Sequence, residues 1–345
     1  MRVFLLNDLH FGVRNSNQIF LDDVKSVFEN LVEHLEHDDE IYILGDVFDN
    51  RNSITIKAMN CANECFRMVQ NHKITIIPGN HDIHYVNKLK PNSIDPLLDT
   101  FDNIEILYEP TYIQFGQNKI LMVPWIVPSD TIQWSLIIKK SDADICMGHF
   151  DIQGFRLNSK TFNKSHGFEA RMFSKFDKVY SGHYHFASKD RNICYLGTQY
   201  QMTWDDFGET KAFHCLDEEG NLTKIPCARQ TFVRQDFAKP LDQTYKNCFV
   251  RLSVNSDVKN QKIKDKVEEL LSLGAHEVKV IQNIKTDLDI DTQDVVDTLV
   301  NSTDMKTVIQ DVAKNIQVDE GIDYDKLMLL VDDIVSEAWE EMGEV

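Results

Sequence analysis

Val3-Phe4-Leu5-Leu6-Asn7-Asp8-Leu9-His10 begins with four apolar residues and ends on a carboxylate and an imidazole two positions apart. A short apolar run with polar boundaries suits a buried β-strand, so these ligand-type side chains stand at a strand's carboxyl end. Similar arrangements recur downstream in Gly45-Asp46-Val47-Phe48-Asp49, Gly79-Asn80-His81-Asp82, Gly148-His149 and Gly182-His183-Tyr184-His185. Apolar runs precede them at 41–44, 74–77, 145–147 and 179–181, and another lies at 120–123. Between the first three runs, residues 18–36 and 54–70 carry apolar side chains at helical i, i+3, i+4 spacing. Alternating strands and helices predict an α/β layered fold with helices covering a largely buried sheet. Ligands at neighbouring strand ends then converge on one sheet edge, where α/β proteins usually place their sites.

Further along, strand candidates at 193–196, 212–216 and 222–226 suggest a second sheet that completes a sandwich. Composition shifts near 239–243, after which a strand from Cys248, a helix over about 260–273 and a strand over about 277–282 form a small α/β module. The Asp-rich stretch 286–292 reads as a linker. In the last helical pattern, 324–342, Leu327, Leu330, Val331, Ile334 and Trp339 make an apolar stripe opposite the acids, a candidate partner surface. The expected domains are a catalytic one over 1–238, a small module over 239–285, and an acidic linker with helices over 286–345.

Composition narrows the classes. The 345 residues suit one large domain plus small modules. No apolar stretch approaches the roughly 18 residues of a membrane-spanning helix. The seven cysteines are scattered without a CxxC pair, which suits reduced thiols in a cytoplasmic setting. The net charge of −19 is unusual for a nucleic-acid enzyme, but its distribution explains it. Residues 284–345 hold 17 acids and 4 bases, leaving 38 acids and 32 bases over 1–283. The acidity is mostly a property of the tail, which argues against DNA binding there and permits a basic partner.

The motifs also predict chemistry. Asp8 and His10, two apart on extended backbone, would leave one face and share an ion, and His183 and His185 repeat the spacing. Asp46 at a Gly-Asp turn can bridge two cations, Asn80 supplies a neutral oxygen and His149 another imidazole. A nitrogen–oxygen set without thiolate suits Mn²⁺, Fe or Zn²⁺. Seven side chains with one shared match two ions held about 3.5–4 Å apart, as in two-metal phosphoesterases. His81, beside Asn80, is the natural general acid, and Asp49 is read as the carboxylate that orients it. Arg14, Arg51 and His84 follow the motif loops and are candidate DNA contacts. Each motif alone is commonplace: a DxH is usually a surface loop and Gly-Asp a turn. The ordered set of five carries the weight.

These motifs resemble the signature of the calcineurin-like metallophosphoesterases, and within them the SbcD / meiotic-recombination (MRE) nucleases, including those of T-even-type bacteriophages. Asp8-Leu9-His10-Phe11-Gly12, GNHD in place of the phosphatases' GNHE, Tyr195-Leu196-Gly197-Thr198 and Ser165-His166-Gly167 carry the match. It is strong to about residue 200 and weak beyond. The resemblance implies an αββα sandwich with a small C-terminal capping module and terminal helices. It implies Asp8, His10, Asp46 and His185 on one ion, Asp46, Asn80, His149 and His183 on the other, and His81 as the catalytic histidine. Mn²⁺ is the first expectation and Mg²⁺ the alternative. It further implies a DNA exo/endonuclease acting at double-strand ends in recombination and repair. The partners would be double-stranded DNA and an SMC-like ABC ATPase (SbcC-like) subunit, in a heterotetramer containing a nuclease homodimer, with no membrane contact. One departure is Asp49, where many cellular members carry His. The competing expectations are a phosphatase or cyclic-nucleotide phosphodiesterase of the same chemistry, and a DNA-end-binding scaffold. The extra modules weigh against the first and the complete ligand set against the second.

Overall fold

Helices form where the 3.6-residue stripe predicts them, over Gln18–His34 and Ile56–Met68. Each starts at a side-chain cap that supplies an acceptor to an otherwise unpaired backbone N–H: Asn17 takes the Ile19 N–H and Thr55 the Ala58 N–H. A third helix, Thr131–Lys140, buries Trp134 and Ile138. The computed structural model describes residues 1–283 apart from 158–160, 228, 242 and 256–257. The acidic linker and the stripe from Leu327 to Trp339 lie outside the described residues.

Two six-stranded mixed sheets pack face to face. The first runs in the order Leu222–Pro226, Ala212–Leu216, Val3–Leu6, Glu40–Leu44, Ile74–Ile77, Ile104–Ile106. The second runs Ser188–Asp190, Ile193–Tyr195, Lys178–Gly182, Ile145–His149, Asn118–Val123, Thr111–Phe115. Pairings inside each sheet are parallel and those toward the hairpin edges antiparallel. Side chains alternate across each strand. Leu5, Tyr42 and Leu44 therefore meet Ile120, Met122 and Met147 between the sheets, while Phe4, Leu6, Ile41 and Ile43 pack outward on Phe28, Leu31 and Phe66 of the helices. The outer face of the second sheet packs Leu121, Cys146 and Val179 against Trp134 and Ile138. The result is the expected four-layer αββα sandwich.

Two expectations about the sheets are corrected. The runs at 120–123, 145–147 and 179–181 belong to the second sheet, whereas 212–216 and 222–226 return to the first. Strand-like apolar runs do not encode which sheet they join. The small module also begins earlier than residue 239: its three-stranded parallel sheet is Phe232–Asp236, Phe249–Asn255, Glu277–Asn283. One face buries Val233, Val250 and Leu252 with Ile263 and Leu270 of the Asn260–Ser272 helix.

His214, on the Ala212–Leu216 strand, illustrates how burial shapes pH response. Burial first, and Lys224 opposite it second, hold its pKa down to about 4. An unfolded histidine titrates near ~6.5, so the unfolded chain binds a proton that the folded chain refuses. The stability His214 contributes is complete above that value and is lost as pH falls toward its folded pKa. His214→Leu is expected to remove about 2 kcal/mol of the stability loss between pH 7 and 5. Urea denaturation at the two pH values reads this directly, and an unchanged acid slope would refute it.

Candidate metal centre

The five motifs stand at the carboxyl ends of five strands drawn from both sheets: Val3–Leu6, Glu40–Leu44 and Ile74–Ile77 from one, Ile145–His149 and Lys178–Gly182 from the other. The site is thus on the shared edge of the sandwich rather than the edge of a single sheet. Backbone bonds fix the first two turns together: Asp8 N–H to Gly45 O at 2.9 Å, His10 N–H to Asp46 O at 3.1 Å and Phe11 N–H to Val47 O at 2.8 Å. Asp82, the last residue of GNHD, ties the second turn to the third. One of its oxygens accepts from Val47 N–H at 2.9 Å and Phe48 N–H at 3.2 Å, the other from Gly79 N–H at 2.9 Å. The sequence marks Asp82 only as part of a motif; its work is to hold two ligand turns at one spacing.

The backbone at the ligands is not extended. Asp8, His10, Asp46 and His183 have φ of 49°, 44°, 53° and 86°. Side chains other than glycine rarely adopt this left-handed region, and such strain persists where surrounding structure enforces it. The expectation that Asp8 and His10 share a face as alternate strand residues is therefore replaced by a turn that achieves the same convergence. His183 and His185 do not point together: His185 joins Asp8 and His10, whereas His183 joins Asp46 and His149.

Within the first group His10 Nε2 lies 3.0 Å from His185 Nε2. In the second, His149 Nε2 lies 3.2 Å from Asp46 Oδ2 and 3.0 Å from Asn80 Oδ1. Asp46 Oδ2 is also 3.8 Å from His10 Nε2, so this carboxylate stands between the groups. Its Oδ1 accepts the His81 backbone N–H at 2.8 Å. Both Asp8 and Asp46 are buried. Burial raises Asp8, and would raise Asp46, but His149, His10 and His81 around it keep Asp46 ionised, well below the usual carboxylate range. Burial first, then neighbouring imidazoles, hold His183 at about 3 and His185 well below its ordinary value, so both are neutral and have a lone pair to give. His149 donates from Nδ1 to Leu44 O at 2.7 Å; against burial, Asp46 raises its pKa to about 9, so Nε2 carries a proton toward Asp46 that a cation there would displace.

The donor set fits divalent cations. Two facing imidazole nitrogens at hydrogen-bond distance, and two buried carboxylates without Lys or Arg partners among the described residues, call for positive charge between them. Asp8, His10, Asp46 and His185 would hold one ion, and Asp46, Asn80, His149 and His183 the other. Bound there, such ions would supply Lewis acidity toward a phosphoester and offset its charge.

Asp49 differs from expectation. His81 donates from Nδ1 to the Asp49 backbone carbonyl at 2.7 Å, while the Asp49 carboxylate stands 3.3 Å from His10 Nδ1. The side chain thus faces the candidate ligand His10, and the main chain orients His81. Asp49→Ala is therefore expected to weaken metal binding by about 10–100-fold and to leave turnover at saturating metal nearly unchanged. Metal titration with parallel rate measurements checks this; a turnover loss with metal bound would return the carboxylate to His81.

Two further residues carry no signal in the sequence. Trp125 follows the Asn118–Val123 strand and packs its ring 5.9 Å from His149 and 5.1 Å from His183. Lys211, buried, donates to His185 O at 2.9 Å and pairs with Asp206 and Glu209, each at 2.6 Å. Of the candidate DNA contacts, Arg14 is exposed and donates to Met202 O at 3.3 Å, Arg51 is half-buried beyond the Glu40–Leu44 strand, and His84 is exposed beside Tyr85.

Two packed mixed sheets with paired oxygen–imidazole groups at their common edge define a phosphoesterase architecture. Residues 1–187 match the calcineurin-like phosphoesterases, and the chain belongs to that family. It is 29% identical over 312 residues to Exonuclease subunit 1 of Enterobacteria phage T4, covering 86% of this chain and 88% of the relative. It is 23% identical over 250 residues to a subunit of the SbcCD nuclease of Staphylococcus epidermidis, covering 64% of this chain and 67% of the relative. Among the described residues no helix is long and apolar enough to cross a membrane.

Proposed function

We propose that this chain is a metal-dependent DNA nuclease subunit that hydrolyses phosphodiesters at double-strand ends, in recombination and repair, together with an SMC-like ABC ATPase. The observation that carries the reading is Asp46 standing between two ligand groups with His81 beside them. The rings of His81 and His10 are 4.9 Å apart. Two Mn²⁺ ions, with Mg²⁺ as the alternative, suit the seven ligands Asp8, His10, Asp46, Asn80, His149, His183 and His185.

In this mechanism the two ligand groups would hold the cations that draw in the scissile phosphate and the attacking water, and His81 supplies a proton to the departing oxygen as water's oxygen bonds to phosphorus. Its Nδ1–H is committed to the Asp49 carbonyl, so Nε2 is the atom that exchanges the proton. Arg14, Arg51 and His84 contact phosphates outside the reacting one. The relatives' names, an exonuclease subunit and a nuclease subunit, support a nucleic-acid substrate and a partner subunit. The stripe at Leu327, Leu330, Val331, Ile334 and Trp339 is the proposed ATPase-binding face, with a nuclease homodimer inside a heterotetramer in the cytoplasm.

The test is hydrolysis of linear double-stranded DNA by the full chain in Mn²⁺ and in Mg²⁺, with and without the ATPase subunit. Cleavage that depends on metal and rises with the ATPase supports the reading. Hydrolysis of phosphomonoesters but of no DNA under any of these conditions would replace it with a phosphatase.

A further inference from the structure

Arg234, Arg251 and Lys279 are register partners on the three strands of the small module, so their side chains form one row on one face of its sheet. Like charges directly opposite one another destabilise a sheet. Among the described residues no carboxylate pairs with any of the three. Aromatic faces take that place: the Arg251 guanidinium lies 4.0 Å from the Trp204 ring centre and that of Arg234 lies 4.7 Å from Phe207. The buried Arg251 Nε has no hydrogen-bond partner among the described residues.

Arg251 and Lys279 open, with Arg14, on a cleft of about 340 Å³ between the module and the catalytic domain, walled by Phe20, Phe249 and Trp204. Arg14 reaches it from an unusual turn in which Arg14, Asn15 and Ser16 have φ of 54°, 54° and 55°. Three successive left-handed residues are costly and cluster at functional sites. The cleft and the groove beside the metal centre meet at one short stretch of chain. Trp204 faces it, while its neighbours Thr203, Asp205 and Asp206 line the groove that contains His183 and His185.

We infer that this cleft binds one unpaired nucleotide of the DNA substrate, its phosphate on Arg14, Arg251 and Lys279 and its base against the aromatic wall. The inference rests on the nuclease reading above and assigns that enzyme a substrate form. Three cations without acidic partners suit a phosphate. Aromatic rings and a flat guanidinium suit the face of a base, which only an unpaired strand exposes. The volume is at the lower end of the ~300–1000 Å³ typical of ligand pockets, enough for a nucleotide and far too small for a duplex. Glu277, also on the cleft wall, opposes a phosphate there.

The test uses the full chain in EDTA, which prevents cleavage, and a hairpin duplex ending in a single-nucleotide 2-aminopurine overhang. The control is a blunt hairpin with the same fluorophore paired at its end. The overhang's fluorescence is expected to fall on binding. Arg251→Gln should weaken overhang binding about tenfold and blunt binding much less, while Glu277→Gln should tighten the overhang complex. An unchanged thermal unfolding midpoint checks that each variant folds. Equal affinity for both hairpins, or equal weakening of both by Arg251→Gln, would overturn the cleft assignment in favour of plain duplex contacts. Overhang binding by a chain that hydrolyses no DNA with metal restored would overturn the nuclease reading and leave the cleft standing.

Discussion

His81→Ala is expected to lower Mn²⁺-dependent phosphodiester hydrolysis by about 10²–10⁴-fold, the range of a lost general acid, with two ions still bound per chain. The geometry makes this a sharp expectation. His81 is outside the Asp8–His10–His185 and Asp46–His149–His183 groups, and its Nδ1 is occupied by the Asp49 carbonyl. The competing role is ligation, because His10, Asp49 and His81 also bring ligand atoms within 4.8 Å of one another. Metal stoichiometry separates the two. Retention of both ions with the rate lost assigns proton transfer, and loss of one ion makes His81 a ligand. A further readout is the leaving group. An ester whose departing phenolate needs no proton should be hydrolysed almost as fast by the variant, whereas DNA, with an alkoxide leaving group, should not. Equal loss on both substrates would remove the general-acid role.

What the sequence disclosed, and what it withheld, follows from the range of the forces involved. Strand runs and the first two helices are local: period and capping residues such as Asn17 and Thr55 set them, and the observed bounds differ by only a few residues. The candidate ligands are equally local, since each motif carries its own side chains. Sheet membership was not. The run at 120–123 and the run at 212–216 are both short and apolar, and only tertiary packing sends one to the second sheet and the other to the first. The roles of Asp49 and Trp125 were hidden for the same reason. Asp49 is three residues from Asp46 whichever histidine its carboxylate meets, and the turn's left-handed backbone decides that it meets His10. The cationic row Arg234–Arg251–Lys279 spans three strands separated by a loop and a helix, so no window along the chain displays it.

Gly79→Ala is expected to match the loss caused by deleting Asp46, without removing any ligand. A methyl group at position 79 would collide with the Asp46 carboxylate and with its backbone N–H, which lies on the rigid turn bonded to Asp8 and His10. The Asp46 side chain can rotate away but its backbone N–H cannot, so the added methyl displaces the turn together with the carboxylate it carries. Asp46 Oδ2 then leaves its place between the two ligand groups, and Oδ1 releases the His81 N–H. Both proposed ion sites and the placement of the general acid fail together. Overpacking against rigid backbone costs at least the ~1–3 kcal/mol typical of added core volume, so thermal unfolding first establishes that the variant is folded, and the folded variant should bind fewer than two ions. Gly154→Ala is the matched control. Its φ of +92° strains an alanine, yet nothing lies within 4 Å of the added carbon. It should lose about 1–2 kcal/mol and keep its metal and its activity. Metal analysis, unfolding and hydrolysis measured on the pair decide the matter. If Gly79→Ala retains two ions and a normal rate, Asp46 is not the group that joins the two sites.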